Sequence, residues 1–306
     1  MGGRELRDPI FKFYDEDRCM TYNSMFYWWT RIKNLDIPMP RTEMIWLGKD
    51  KSYDLFSALD GNAEKSVPIQ NEIYERIIEK FPPGPMFIRG DHTSDKHGWE
   101  KTCFIKDNRD RIDTLTHLIR LIESHDLHVF IGPPMLGYAL RELIPTDPIF
   151  YTFHGNMPIT REYRFFYSEG EVACWHPYWP PEAIEREKRF FWGKNLPEDW
   201  REKLDSISHL QPDILDILTD RAIAIGKAVE CDDVPSWSID FLQGSDGVFY
   251  FIDCADALAS EHWNDCPVGQ EKFGWIPRVH EKESDFSDFL AELGITDDGE
   301  SPHGSD

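Results

Sequence analysis

The stretch Phe87-Ile-Arg89-Gly-Asp91-His-Thr-Ser-Asp-Lys96-His-Gly-Trp-Glu-Lys101-Thr-Cys-Phe-Ile105 sets two short apolar runs on either side of a polar loop that carries cations. The turn chemistry of Pro82-Pro83-Gly84 lies just upstream, so Met86 to Arg89 reads as a fresh strand and Thr102 to Ile105 as its return. Arg89 closes an apolar strand, where a guanidinium is costly unless it meets an anion, and its planar fork suits a carboxylate or a phosphate. Asp91 is a ready partner, which would make that pair structural. Lys96 and Lys101, read singly, are solvated loop lysines. Read together with Arg89, they form a cationic clamp at the end of a buried strand.

Working outward, Asp60-Gly61-Asn62 is a turn, and Ile69, Ile73, Ile77 and Ile78 recur at helical spacing from Pro68 to Lys80. The segment before it, residues 1–67, holds an aromatic stretch, Tyr22 to Trp29, and a strand-like run up to Ile45 after paired prolines stop a helix. It reads as a small α/β cap. Downstream, Leu115, Leu118, Ile119 and Ile122 give the helix from Ile112 to Ile122 one apolar face. Val129 to Ile131, the turn Gly132-Pro-Pro134, and a strand from Tyr138 that stops at Pro145 complete an α+β lobe over residues 68–144. A second lobe, residues 145–282, alternates charged and aromatic residues in Arg161-Glu-Tyr-Arg-Phe-Phe-Tyr167, turns at Ser168-Glu-Gly170, and returns from Val172 to His176. A helix with Leu215, Leu218, Ala222, Ile225 and Val229 inward precedes a hairpin, Trp237 to Leu242 and Val248 to Asp253, joined by Gly244-Ser-Asp-Gly247. Residues 283–306 are acidic, and their Gly, Ser, Asp and Pro end is too polar to pack.

The chain has 306 residues, 41% hydrophobic and 14% aromatic, enough to build real cores. A formal net charge of -23 argues against a broad electropositive nucleic-acid footprint, so an anionic ligand needs a focused cluster. The opening Met-Gly-Gly-Arg-Glu lacks the apolar core of a secretory signal, and no apolar run suffices to span a bilayer; the expectation is a cytoplasmic protein. Cys19, Cys103, Cys174, Cys231, Cys254 and Cys266 are scattered without a C-x-x-C pair, which fits reduced thiols.

The residues that can carry chemistry cluster in the second lobe. Asp240 and Asp253 sit on the two strands of one hairpin, where adjacent antiparallel strands bring carboxylates together. Two anions so close repel unless a divalent cation neutralises them, and oxygen ligands suit Mg²⁺ bridging phosphates. Capping of turns is the alternative. Asp256 is a candidate third ligand or a solvated loop residue. Asn replacements of Asp240 and Asp253 keep shape and are expected to spare the fold. On the Arg161 to Tyr167 strand, period two puts Glu162 and Arg164 on one face with Phe166. Either they pair with each other, or Arg164 neutralises charge during phosphoryl transfer. His154, His176 and His262 read as surface or hydrogen-bonded residues. Trp175, Tyr178, Trp179 and Trp192 line a pocket or build a core.

Taken in order, the cationic strand-loop-strand from Phe87 to Lys101, the run Leu140-Arg-Glu142-Leu143-Ile144, the strand Arg161-Glu-Tyr-Arg164, and Asp240 followed by Phe251-Ile-Asp253 resemble the ATP-grasp superfamily. They are most similar to its clade named for one arginine and two lysines. The likeness covers roughly residues 68 to 275. It implies an α+β fold with ATP held between two lobes, Lys101 and Lys96 on phosphates, Glu142 accepting from the adenine amino group, and the backbone of Leu143 and Ile144 pairing with the ring. It further implies Mg²⁺ on Asp240 and Asp253, Arg164 facing the transferring phosphate, and Arg89 and Glu162 among the site residues. Where many family members carry Asn two residues after the second acid, this chain has Ala255, with Asp256 one later. The implied activity is ligation, in which a carboxylate is activated as an acylphosphate and attacked by an amine or thiol. A more distant likeness to the eukaryotic cell-division-cycle family of ATP-grasp proteins implies the rival role of an ATP-binding assembly factor with a protein partner.

Overall fold

The computed structural model describes residues 21–61, 63–128, 135–189 and 196–274. The chain divides into a unit spanning Met1–Ser260 and a second spanning Glu261–Asp306. In the second, helix α8 (Pro267–Phe273) is capped by the Cys266 thiol, which accepts from the Gly269 N–H, and His262 stacks on Phe273. The expected strand Val129 to Ile131, its turn to Pro134, Trp192, Cys19 with the rest of residues 1–20, and the 283–306 tail lie outside the described residues.

The first unit carries two four-stranded antiparallel sheets. In chain order its elements begin with α1 (Met25–Ile32), β1 (Thr42–Trp46), α2 (Gly48–Phe56), α3 (Ala63–Lys80), β2 (Met86–Gly90), β3 (Phe104–Ile105), α4 (Arg111–His128) and β4 (Gly137–Glu142). These supply the first sheet, ordered β1-β4-β2-β3. Met86, Ile88, Tyr138 and Leu140 point to one face, where they meet Ile73 and Ile77 of α3 and Leu118, Leu121 and Ile122 of α4. Each such aliphatic side chain, once out of water, stabilises the fold by about 1.5–3 kcal/mol. The segment read as a cap contributes to both cores: β1 pairs with β4, while α1 packs under the other sheet.

That second sheet comes from β7 (Glu162–Ser168), β8 (Glu171–Pro177), β9 (Ser236–Gln243) and β10 (Phe249–Asp256), ordered β10-β9-β7-β8. Tyr163, Phe165, Ile239, Phe241 and Phe251 turn inward against Leu218, Ala222 and Ile225 of α7 (Pro212–Val229) and against Met25 and Trp28 of α1. The β7-β8 turn places Glu169 and Gly170 at positive φ, as a tight hairpin between right-twisted strands demands.

Three differences from the sequence reading are physical in origin. Helix α3 begins at Ala63, with Pro68 inside it, where the sequence reading starts the helix at that proline. The polar loop after β2 is partly helical, a 3-10 segment over Lys96–Lys101, so β3 keeps only two paired residues. A short hairpin, β5 (Phe150–Thr152) and β6 (Met157–Ile159), and the helices α5 (Pro181–Arg189) and α6 (Trp200–Ser206) have no clear period in the sequence; they form a third core with Trp179, Ile184, Trp200 and Leu204. Trp179 therefore belongs to a core, while Trp175 packs against the second sheet's core. Among the described residues no helix is long and apolar enough to cross a membrane, and the five cysteines described are free thiols.

Candidate active site

The carboxylates owe their placement to one irregularity. By simple alternation Asp253 would share the core-facing side of β10 with Phe251, yet a bulge at Ile252 shifts the register. Phe251 pairs with core-facing Phe241, and Asp253 pairs with Asp240 on the opposite face. Both acids thus line a cavity of about 470 Å³. On the neighbouring strand Arg164 stands opposite Asp240 and donates to both its oxygens, Nε and Nη2 each at 2.8 Å. Asp240 is 3% exposed, so its carboxylate is held by a fork rather than by water. Burial opposes the charge on Arg164, but Asp240 outweighs it and holds the guanidinium pKa above its ordinary value. The expectation that Asp240→Asn spares the fold is therefore corrected: that change would leave a buried arginine without its counter-charge.

Asp256 does not join this set. Three residues beyond Asp253, it falls on the other side of the strand opposite Trp237, where its side chain accepts from the Leu258 N–H and its own N–H donates to Asn23. The proposed third ligand is instead a cap.

From the first sheet, Phe87, Arg89 and Arg141 face the cavity. Arg89 Nη1 donates to Asp253 Oδ2 at 2.7 Å. Asp91 is not its partner. That carboxylate is fully buried, accepts from Ser24 Oγ and the Leu136 N–H at 2.9 Å each, and has His92 at 3.2 Å. Burial pushes its carboxyl above the usual range, against the pull of these partners. Arg141 is absent from the sequence-derived site. Its signal is the same as that of Arg89: a guanidinium on an otherwise apolar strand, sharing the face of Ala139.

The loop lysines separate. Lys96 Nζ donates to Glu162 Oε1 at 2.9 Å and sits 3.6 Å over the Tyr178 ring, with Arg164 4.4 Å from the same ring. Burial disfavours the ammonium, but Glu162 beside it prevails and raises its pKa; Glu162, itself desolvated and near Asp240, is held above the ordinary carboxylate range. Lys101, at the far end of the 3-10 turn, is exposed and does not line the cavity, because that turn carries its side chain outward. The loop is held by the β5-β6 turn. Gly155 N–H donates to His97 O at 2.9 Å and its carbonyl accepts from the Glu100 N–H at 3.0 Å. A Cβ on Gly155 would lie 2.0 Å from the Gly98 carbonyl carbon, so glycine is required by the close approach.

The cavity is also lined by Glu142, Leu143 and Ile144, by Phe87, Trp99 and Phe104 from the first sheet's side and by Leu242 and Ile252 from the second's. Glu142 ends β4 exposed, its N–H bonded to Arg41 O at 2.9 Å. An apolar slot thus adjoins a set of three matched ion pairs, Lys96 with Glu162, Arg164 with Asp240, and Arg89 with Asp253.

Comparison with known proteins gives a family. A model of the ATP-grasp domain, family 3 of the clade named for one arginine and two lysines, matches residues 78–268. No curated protein matches the sequence. Among solved structures, the C-terminally truncated Cdc123 of Schizosaccharomyces pombe aligns at 13% identity and TM-score 0.47, covering 80% of this chain and 86% of that one. D-alanine--D-alanine ligase from Bacillus anthracis, complexed with ATP, aligns at 11% identity and TM-score 0.37 over 79% of this chain and 52% of that one. A RimK domain protein ATP-grasp from Sphaerobacter thermophilus aligns at 11% and 0.37 over 76% and 58%. The match over residues 78–268 spans more than half of the sequence, and the chain belongs to family 3 of this arginine-and-two-lysines clade of ATP-grasp domains, with their α+β fold.

Proposed function

We propose that the cavity binds ATP with Mg²⁺ between the segment 68–144 and the segment that follows, and that the chain uses it to join a carboxylate to an amine or thiol. The single observation that carries this reading is one cavity lined by Arg89, Lys96, Glu162, Asp240 and Asp253 together with apolar side chains, with Arg164 bonded to Asp240. The slot from Phe87 to Leu242 suits the base, with Glu142 at its rim as acceptor for the amino group. Asp240 and Asp253, side by side in register, are an oxygen donor pair fitting Mg²⁺, which would neutralise phosphate oxygens. Arg89 and Lys96, which line the cavity, and Arg164, bonded to Asp240, would set positive charge near the phosphate chain as charge develops in transfer.

The reaction balances simply. A substrate carboxylate oxygen attacks the γ-phosphorus, ADP leaves with the electron pair of the bridging oxygen, and an acylphosphate forms. The amine or thiol then attacks the acyl carbon, phosphate departs, and the nucleophile's proton goes to solvent or a nearby base. Exclusion of water from the cavity would protect the acylphosphate. One observation favours a second reading, that of an ATP-binding assembly factor without ligation: Ala255 offers no side-chain oxygen and Asp256 faces away, so neither adds to Asp240 and Asp253 as a metal ligand.

The test begins with thermal shift. ATP with Mg²⁺ at about 100 times its dissociation constant should stabilise by about 2.7 kcal/mol; no shift with any adenine nucleotide removes both readings. Release of ADP and phosphate that needs a carboxylate plus an amine or thiol selects ligation. Tight binding without turnover across a broad panel selects the assembly factor.

A further inference from the structure

Tyr178 follows β8 directly, and its N–H donates to the Glu162 carbonyl at 2.9 Å, which pins its backbone to the strand that carries Glu162 and Arg164. The ring is half-buried and meets Trp179 edge to face at 4.8 Å in the third core. Two cations reach it from different elements. Lys96 Nζ, from the loop after β2, lies 3.6 Å from the ring centroid, and the Arg164 guanidinium, from β7, lies 4.4 Å from it. Trp179 offers Lys96 a second ring at 4.8 Å. Two cations on one ring repel each other, and burial disfavours the charge on both. Each has its carboxylate, Glu162 for Lys96 and Asp240 for Arg164, yet a carboxylate holds a cation by taking up its N–H donors. An aromatic face attracts the same charge through its quadrupole and leaves the donors free.

We infer that Tyr178 is a positioning residue whose ring holds Lys96 and Arg164 together, so that a lysine from the loop and an arginine from the second sheet act on one anion. Tyr178 does not itself line the cavity, so it works through these two side chains and not on a ligand. For the identity of the anion this rests on the ATP reading above; the hold of the ring on the two cations does not. The quadrupole belongs to the ring and not to the hydroxyl, so Phe keeps it. A ring of the same shape with its electron density drawn to the rim reverses it, which separates attraction for the cations from simple packing.

Binding of ATP and of adenosine, both with Mg²⁺, should be measured by calorimetry on the wild type, on Tyr178→Phe, and on the same exchange made with pentafluorophenylalanine. The fluorinated ring should weaken ATP by about 5- to 30-fold relative to Phe, the size of one or two partly desolvated cation–π contacts, and leave adenosine unchanged. Both rings fill the same space, so the comparison survives where a smaller side chain would fail to fold. In a Lys96→Met background the exchange of Phe for its fluorinated form should cost less, because one of the two cations is gone. Equal ATP affinities with the two rings would overturn the inference while the ATP reading stood. An equal loss of ATP and adenosine would also overturn it, since the ring would then only shape the cavity from behind. A cost undiminished by Lys96→Met would overturn the pairing of the ring with the loop. If the wild type binds no adenine nucleotide, the ATP reading falls, and the same exchange is followed by urea unfolding. A lower midpoint for the fluorinated ring that recovers in Lys96→Met would keep the role of Tyr178, and equal midpoints would end it.

Discussion

The β9-β10 hairpin and the loop between β2 and β3 both carry charges into the cavity, but they are held there in opposite ways. In the hairpin, Asp240 and Asp253 are placed by their own strands' register and the bulge at Ile252. The loop has no such internal frame. Lys96 is placed by Glu162 from β7, by the ring of Tyr178, and by the backbone of Gly155 from another hairpin. The hairpin is therefore robust in backbone and sensitive in charge, whereas the loop should fail whenever a distant support moves.

The charge side of that contrast gives the largest expected effect. Removing Asp240 leaves Arg164 with its fork empty at a position 13% exposed, and breaking a buried pair from one side costs about 3–5 kcal/mol. Asp240→Ala should show that loss in urea unfolding, and Asp253→Ala less: Arg89 is itself 5% exposed, but Asp253 is 34% exposed, so water can enter the space its side chain leaves. Similar midpoints for the two variants would break the claim that the buried pair anchors the hairpin.

The backbone side is tested at Gly155. Gly155→Ala drives a methyl into the Gly98 backbone, which cannot swing aside as a side chain would; overpacking of this kind costs about 1–3 kcal/mol. The loop should shift and ATP affinity fall with it, while the hairpin keeps its register. If ATP affinity is untouched in a protein that has lost stability, the loop's position does not depend on the β5-β6 turn.

How much of the site is legible in the sequence follows from the same contrast. Alternation along Arg161 to Tyr167 places Glu162 and Arg164 on one face, and the apolar runs around Asp240 and Asp253 pair the acids, because period two is written in neighbouring residues. The bulge that keeps the two acids on one face is not legible, and without it Asp253 would point into the core. Asp91 misleads because sequence proximity favours Arg89, whereas the strand's end aims Asp91 at Ser24 and Leu136, far away in sequence. Arg141 hides inside a run whose last three residues draw the attention. Lys96 and Lys101 look alike because nothing local tells them apart.

A smaller effect is expected at the stem of the loop. The Asp91 carboxyl is pushed by burial above its ordinary value of 3.8, so the folded protein holds that proton more tightly than the unfolded chain does. The sign follows: its contribution to stability is fully present below about 3.8 and is lost as pH rises through the folded pKa. Asp91→Asn cannot ionise, and its amide can still accept from the Leu136 N–H. Measured by urea unfolding from about pH 3.5 upward, the variant should gain on the wild type as pH rises through that window. A difference that stays constant with pH would mean that the buried carboxyl carries no titration of its own.

The smallest effect should come from Lys101, and it bears most directly on the loop. Lys96 and Lys101 stand at the two ends of one 3-10 turn, yet only Lys96 lines the cavity and has Glu162 as its partner. A solvated lysine at the rim contributes little to the binding of an anion held inside, since water and salt screen it. Lys101→Ala should leave both the melting temperature and ATP affinity as in the wild type. Lys96→Ala should weaken ATP by about 10- to 100-fold, the loss of one charge-assisted contact, and should also lower stability, because Glu162 at 4% exposure would stay buried without its partner. A loss of ATP affinity in Lys101→Ala as large as that in Lys96→Ala would mean that the turn re-forms around the nucleotide and brings the second lysine inward. In that case the loop's supports would give way when nucleotide binds, and Gly155 would be its hinge point rather than its anchor.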